Sequence, residues 1–514
     1  MTPEWDAVVI GSGFGGSMIA LRLAEAGARV LVLERGGWVD RDDTAWDTRA
    51  ILIGRKYKSS TPFFDHQHRR PIPVYPDEAV GGKSVFYGAA SFRLRVDDFT
   101  LGSSLPGEVQ PFVDWPIGYG DLAPFYDEAE TLLDVAGVSG LDPNEPPRDG
   151  DFPQRPPPYG SPARRIAAAA AALGLHPFPM PLAINFGADP NRPRCIQCLT
   201  CDQFPCKICA KNDLAVAVLP KAVARGAVVR PSTIAQRLLR DANEIRGVEY
   251  LDTATGAPGV AKAGLYVVSC GAVGSAGLLL RSGLQHVGPN GPLIGRHLMR
   301  HCSGILIGIY PFKTNPEGRF HKQVAITDFY FGHPNGRAPE GPWGMIQGLQ
   351  VPPPEFIAAY GRFPVNVIGT LTVARHIYLM CIAQDRPNPA NRVEVDSSHT
   401  DRDGLPVIRV FHQYTAQDRS ARRALYREAS RITRQAGAAI WCRMPIDTYS
   451  HAVGTCRFGH DSRSAVLDPW CRFSGVHNLF VVDGSFMPTS GGLNPSLTIA
   501  ANALRVARFI VEAL

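Results

Sequence analysis

Residues 6–36 read DAVVIGSGFGGSMIALRLAEAGARVLVLERG. An apolar run from Ala7 to Ile10 has the composition of a buried parallel strand. Gly11, Gly13 and Gly16 then form G-x-G-x-x-G, with Phe14 and Gly15 inside the motif. An amphipathic helix follows, with Ile19, Leu21, Leu23 and Ala24 among its apolar positions. Gly27 stops it, and a second apolar strand from Val30 to Leu33 ends in Glu34. Each glycine has a physical reason to be there. Gly11 permits the tight turn, Gly13 lets the backbone approach a pyrophosphate, and Gly16 lets helix and strand pack closely. The helix N-terminus faces the phosphates with unpaired N–H groups and a positive dipole end. Glu34 is placed to accept hydrogen bonds from the adenosine ribose. Glycine-rich turns are common; strand, glycines, helix, strand and terminal acid in this order are specific. They predict an α/β dinucleotide-binding domain, without choosing between NAD and FAD.

The remaining composition sets bounds. The chain has 514 residues, 45% hydrophobic and 19% charged, enough for two or more domains with a large core. Its formal charge of +6, from 53 basic and 47 acidic residues, is a weak bias with no basic run, which argues against nucleic-acid binding. The N-terminus passes from a short polar lead into the first strand, leaving no room for a signal peptide, and no apolar run is long enough to span a bilayer. These features predict a soluble cytoplasmic protein.

Two further stretches bear on the cofactor. Residues 79–99, AVGGKSVFYGAASFRLRVDDF, place Gly81, Gly82 and Ser84 in a second glycine-rich turn, followed by Gly88. Small residues with free N–H groups there suit a second backbone approach to a pyrophosphate or flavin. Residues 478–510 read as strand, Asp483-Gly484 turn, loop, and a helix opening after Asn494-Pro495. Pro495 suits a helix's first turn, and the amides from Ser496 onward can face an anionic flavin edge.

With these motifs the chain resembles the glucose–methanol–choline (GMC) oxidoreductases, which use FAD to oxidise alcohols. The resemblance runs in the family's order through the first glycine motif, GGKSVFYGAASFRLRVDDF, SCGAVGSAGLLLRSG, HAVGTCRFG and VVDGSFMPTSGGLNPSLTI. It implies a Rossmann-like FAD domain assembled from discontinuous segments, with a separate substrate domain. It also implies that Asp483 and Gly484 lie by the ribityl-phosphate region, Pro495 and Ser496 by the flavin ring, and Ala235 by adenine. Members with covalent FAD can carry histidine where this chain has Phe86; phenylalanine cannot form that bond, so noncovalent FAD is expected. Many members have asparagine at the position of Tyr87.

His451 in HAVGT is, taken alone, as well explained as a packed imidazole. The family pattern pairs it with Asn494. Alcohol oxidation removes a hydroxyl proton and a hydride, so a base and a hydrogen-bond partner must converge on one oxygen. The resemblance therefore implies His451 as base and Asn494 as the amide that orients the alcohol and stabilises alkoxide charge.

Five of the eleven cysteines crowd into C-x2-C-x2-C-x4-C-x2-C: Cys195, Cys198, Cys201, Cys206 and Cys209. The spacing admits an iron–sulfur cluster, local disulfides, a structural zinc or free buried thiols. Family loops here vary, and a cluster is not the favoured reading.

The FAD segments are expected at 1–309 and 445–514, and a substrate domain at 310–444. In GILIGIY, Ile305, Ile307 and Ile309 alternate like a half-buried strand; residues 392–413 look like two strands around a polar turn, and residues 415–437 like an amphipathic helix ending at Gly437. An antiparallel sheet backed by helices, roofing the flavin, follows. The Pro- and Gly-rich stretches at 143–162 and 332–344 are expected as surface connections. A closer resemblance, through VFYGAASFR, PLAIN, NRVEV and DGLPVIRV, is to the bacterial oxidases of aminoglycoside biosynthesis, which turn an amino sugar's primary alcohol into an aldehyde. It implies a sugar or amino-sugar substrate. The electron acceptor is oxygen or an unknown carrier; a dehydrogenase passing electrons through a cysteine-bound cluster is the alternative.

Overall fold

The computed structural model describes residues 4–66, 72–105, 112–333 and 341–513. The expected nucleotide unit is at its centre. Strand β1 (Trp5–Ile10), helix α1 (Phe14–Glu25) and strand β2 (Val30–Leu33) form a parallel crossover unit. They occupy the middle of a five-stranded parallel sheet, in the order Leu479–Val481, Ala263–Val268, β1, β2, Val228–Arg230. The sheet is thus assembled from both ends and the middle of the sequence. Helix α1 departs from the amphipathic expectation. Met18, Ile19, Leu21 and Leu23 are all fully buried, because the C-terminal helix Ser496–Ala513 packs along the side away from the sheet.

A six-stranded antiparallel sheet forms the second body. Its order is Ile440–Pro445, Gly304–Ile309, His376–Ala383, Gly344–Leu349, Val324–Ile326, Phe178–Pro179. Strand Gly304–Ile309 precedes residue 310, and Phe178–Pro179 comes from much earlier in the chain. One face of the sheet carries helix Ala416–Gln435, whose Ala421, Leu425, Ala429 and Ile432 bury against Leu306, Leu379 and Cys381. That helix starts at a reciprocal cap: Thr415 Oγ1 accepts from the Asp418 amide at 3.1 Å, and Asp418 Oδ2 accepts from the Thr415 amide at 2.7 Å. The strand GILIGI turns Leu306 and two glycines, rather than its isoleucines, toward the helix. The glycines are there because the helix comes so close: a Cβ on Gly304 would lie 1.7 Å from Tyr426 Oη.

The two strands expected in residues 392–413 form, as Arg392–Thr400 and Pro406–Phe411, but outside this roof. They pair with Phe63–Asp65 and Ile72–Val74 in a separate four-stranded sheet. Ile408 packs on helix Gly271–Arg281, beside the parallel sheet. The Pro-rich stretch 143–162 is a connection, as expected, leading into helix Ser161–Ala172. Much of the second such stretch, 334–340, lies outside the described residues. No helix among the described residues is long and apolar enough to cross a membrane.

Replacing Gly304 with Ala should destabilise the fold by about 1–3 kcal/mol, as an overpacked core does. Gly120→Ala, with nothing within 4 Å of the added Cβ, should not lower the melting temperature. Thermal unfolding of the two variants side by side checks this.

Candidate functional site: a dinucleotide cradle facing a histidine pair

The glycines of the first turn divide into those enclosed by protein and one that faces open space. A Cβ on Gly11 (φ +96°) would lie 2.3 Å from Ser269 O, one on Gly15 2.4 Å from Val482 O, and one on Gly16 1.9 Å from Gly11 O. Around Gly13 there is nothing within 4 Å. Phe14, Gly15 and Gly16 follow it in the first turn of α1, where amides have no partner within the helix. The turn therefore offers one face with no side chain, with donors aimed into it.

Glu34 holds this turn and the second glycine turn together. Its Oε2 accepts from the Ser12 amide at 2.9 Å and from Ser12 Oγ at 2.6 Å, and its Oε1 accepts from the Gly36 amide at 2.9 Å. Ser12 Oγ in turn accepts from the Gly81 amide at 2.8 Å. Gly81 and Gly82 both take left-handed backbone, with φ of +93° and +58°, and a Cβ on Gly82 would sit 3.2 Å from Gly13 Cα. Burial raises the Glu34 carboxyl above its ordinary value, against the hydrogen bonds that favour its charge. The Ser84 hydroxyl is engaged within the protein: it donates to Gly81 O and accepts from the Leu214 amide. Ala235 follows two residues after Thr233, whose amide donates to Glu34 O at 2.8 Å. That places Ala235 at the same end of β2 as the ribose acid.

Asp483 lies at the N-terminus of helix Gly271–Arg281, accepting from the Gly271 amide at 3.1 Å, from Ser275 Oγ, and from the Ser485 amide at 2.9 Å. Burial raises its carboxyl too. Gly484 O accepts from the Gly454 amide at 3.0 Å, and the pairing continues from Cys456 to Ser485 and from Phe458 to Phe486. Met299 and Val453 exchange both backbone bonds. Three distant segments, 299–301, 451–458 and 484–494, are thereby laced together.

This lacing brings His451 and Asn494 together, and adds a residue that sequence reading passed over. Asn494 Nδ2 is 3.4 Å from His451 Nε2, while His301 Nδ1 is 3.0 Å from His451 Nδ1. Burial, then the neighbouring His301, Lys322 and Lys83, push the His451 imidazole well below its ordinary value. The shift favours the uncharged ring. Asn494 Oδ1 is buried with no protein partner. Pro495 precedes the C-terminal helix, its carbonyl accepting from the Ile499 amide, and Ser496 Oγ donates to Ala90 O at 3.1 Å.

Gly88 has a reason that its motif did not disclose. A Cβ there would lie 1.7 Å from Asp202 Oδ1 and 2.0 Å from Lys322 Nζ, an ion pair of 2.8 Å joining the cysteine loop to the roof. Phe14 and Tyr87 meet edge to face at 5.5 Å. The cysteine loop itself is tied by cations bonded to its carbonyls. Lys211 Nζ donates to the Tyr87, Cys201 and Phe204 carbonyls, Arg192 to Cys209 and Arg41 to Cys206. All five thiols are free, and among the described residues no three metal-ligating groups come together.

GMC oxidoreductase sequence profiles match residues 157–303 and 387–503, and an FAD-binding domain profile matches 6–46. The chain belongs to the GMC oxidoreductase family. It is 34% identical to 6‴-hydroxyparomomycin C oxidase of Streptomyces lividus, over 99% of this chain and 92% of that protein. It is also 34% identical to paromamine 6′-oxidase of Streptomyces fradiae, over 98% and 91%. Among solved structures, pyridoxine 4-oxidase from Mesorbium loti aligns with a TM-score of 0.68 at 20% identity, over 98% of this chain and 99% of that one. As a GMC enzyme this protein is an FAD-dependent oxidoreductase acting on alcohols. The cradle fits that cofactor: a side-chain-free face at Gly13, two glycine turns joined through Ser12, and an unpartnered Asn494 oxygen beside His451.

Gly13→Ala should keep the apoprotein's melting temperature and lose most bound FAD, whereas Gly16→Ala should lower the melting temperature itself. Flavin content per chain and thermal unfolding of the apoproteins check the contrast.

Proposed function

We propose that the protein oxidises the primary alcohol of an amino sugar, or of a closely related sugar, to the aldehyde, with oxygen reoxidising the flavin. The observation that carries this is the full-length 34% identity to two Streptomyces amino-sugar oxidases, in a chain that sets a neutral His451 against Asn494. In this reading His451 Nε2 takes the hydroxyl proton. The Asn494 amide, 3.4 Å from that nitrogen, holds the same oxygen and favours its developing negative charge. Bound FAD, held noncovalently beside Phe86, supplies the hydride acceptor. Gly13, with Gly81 and Gly82 beside it, receives its pyrophosphate on a turn that Gly11, Gly15 and Gly16 allow to close, with Glu34 and Ala235 toward the adenosine and Pro495 and Ser496 toward the ring. The six-stranded sheet, largely from 310–444, forms the substrate side.

Adding a primary-alcohol amino sugar such as paromamine without oxygen should bleach the flavin bands, and air should restore them with consumption of oxygen. His451→Ala should keep FAD and bleach at least about a hundredfold more slowly, the usual loss for an acid–base group. Bleaching at an unchanged rate in this variant would remove His451 as base. Bleaching that air does not reverse would replace oxygen with another acceptor.

A further inference from the structure

We propose that His301 is a positioning residue that decides which nitrogen of His451 carries the proton. This rests on the reading of His451 as base, and it follows from hydrogen-bond polarity. His301 Nε2 lies 3.1 Å from Ser490 O. A carbonyl can only accept, so Nε2 of His301 carries the hydrogen. The ring is almost completely buried, at 1% exposure, and its environment disfavours a second proton. Its Nδ1 is therefore a bare lone pair. That lone pair sits 3.0 Å from His451 Nδ1, so His451 must donate there. A neutral imidazole has one hydrogen, and His451 Nε2 is left bare. On its other side Asn494 Nδ2, a donor, faces that nitrogen at 3.4 Å. The two rings meet edge-on, with planes at 82° and centroids 5.1 Å apart.

The backbone around His301 is built to hold this contact. His301 has φ of +61°, a left-handed conformation that histidine seldom takes. Buried Asp385 fixes it by accepting from two successive amides, Arg300 at 2.8 Å and His301 at 3.0 Å. Tyr414 Oη donates to the His301 carbonyl at 2.8 Å. Both hold the backbone that carries one ring.

The proton step then balances simply. The alcohol O–H bond breaks, an N–H bond forms at His451 Nε2, and the resulting imidazolium keeps its Nδ1–H bond to His301. The carbon's hydride, with its electron pair, goes to the oxidised cofactor that the family activity requires. Without an acceptor at position 301, the form of His451 with hydrogen on Nε2 becomes competitive, and that form cannot take the alcohol proton.

Two variants of the FAD-bound enzyme test this. His301→Leu removes the acceptor at similar volume. His301→Asn restores one, since its Oδ1 can accept from His451 while its amide donates toward Ser490, and asparagine tolerates left-handed backbone. We expect His301→Leu to slow anaerobic flavin bleaching on the order of a hundredfold, and His301→Asn to recover to within about tenfold of wild type. Nitrogen-15 NMR of histidine-labelled holoenzyme, without substrate, should show His451 protonated on Nδ1 in the wild type and not in His301→Leu. The proposal is overturned by His451 protonated on Nε2 in the wild type, by wild-type bleaching in His301→Leu, or by no recovery in His301→Asn. Because the NMR readout needs no turnover, it distinguishes failure here from failure of the substrate reading.

Discussion

The cradle depends on one buried carboxylate. Glu34 accepts three donors, two of them from Ser12, and through Ser12 Oγ it reaches the Gly81 amide. Hydrogen bonds to a charged acceptor are among the stronger ones available to a fold. This set joins the end of β2, the first glycine turn and the second glycine turn, which lie far apart in the chain. The residue that the family pattern sets against the ribose is thus also the residue that ties the two turns together.

At the other end of the cofactor the constraint is electrostatic. His451 is surrounded by groups that disfavour a positive charge, with burial foremost and Lys322 and Lys83 adding to it. Burial acts on His301 in the same direction, against Asp385 and the carbonyls at 490 and 491. Both rings are thereby pushed toward the uncharged form. The same cations that keep His451 neutral are anchored elsewhere, Lys322 on Asp202 and Lys83 on the Tyr449 carbonyl. The cysteine loop reaches the roof through Asp202, and Lys211, Arg192 and Arg41 hold its carbonyls.

What could be read in the sequence was local. β1, the glycine turn, α1 and β2 follow each other within 30 residues, and their spacing carries its own reason. That most of α1 is buried could not be read there, because the helix covering it is Ser496–Ala513. The two strands of residues 392–413 were legible as strands, but their partners Phe63–Asp65 and Ile72–Val74 were not. His451 and Asn494 were found through a family pattern. His301 sits 150 residues from His451, in a stretch whose only local signal is a histidine beside a bulky turn. Its importance comes from a backbone angle and a carboxylate at 385, neither of which has a sequence signature. Gly88 belonged to a recognised motif, yet the ion pair that excludes a side chain there comes from two other segments.

The most direct test of a neutral His451 acting as base is the pH dependence of flavin bleaching by substrate in a single anaerobic turnover. A histidine held below its ordinary value of 6.5 keeps its lone pair as the pH falls, and loses it only below that lowered value. The expected rate stays flat from pH 8 to below 6.5 and then declines. A rate that halves near 6.5, as for an imidazole in water, would contradict a neutral, buried base.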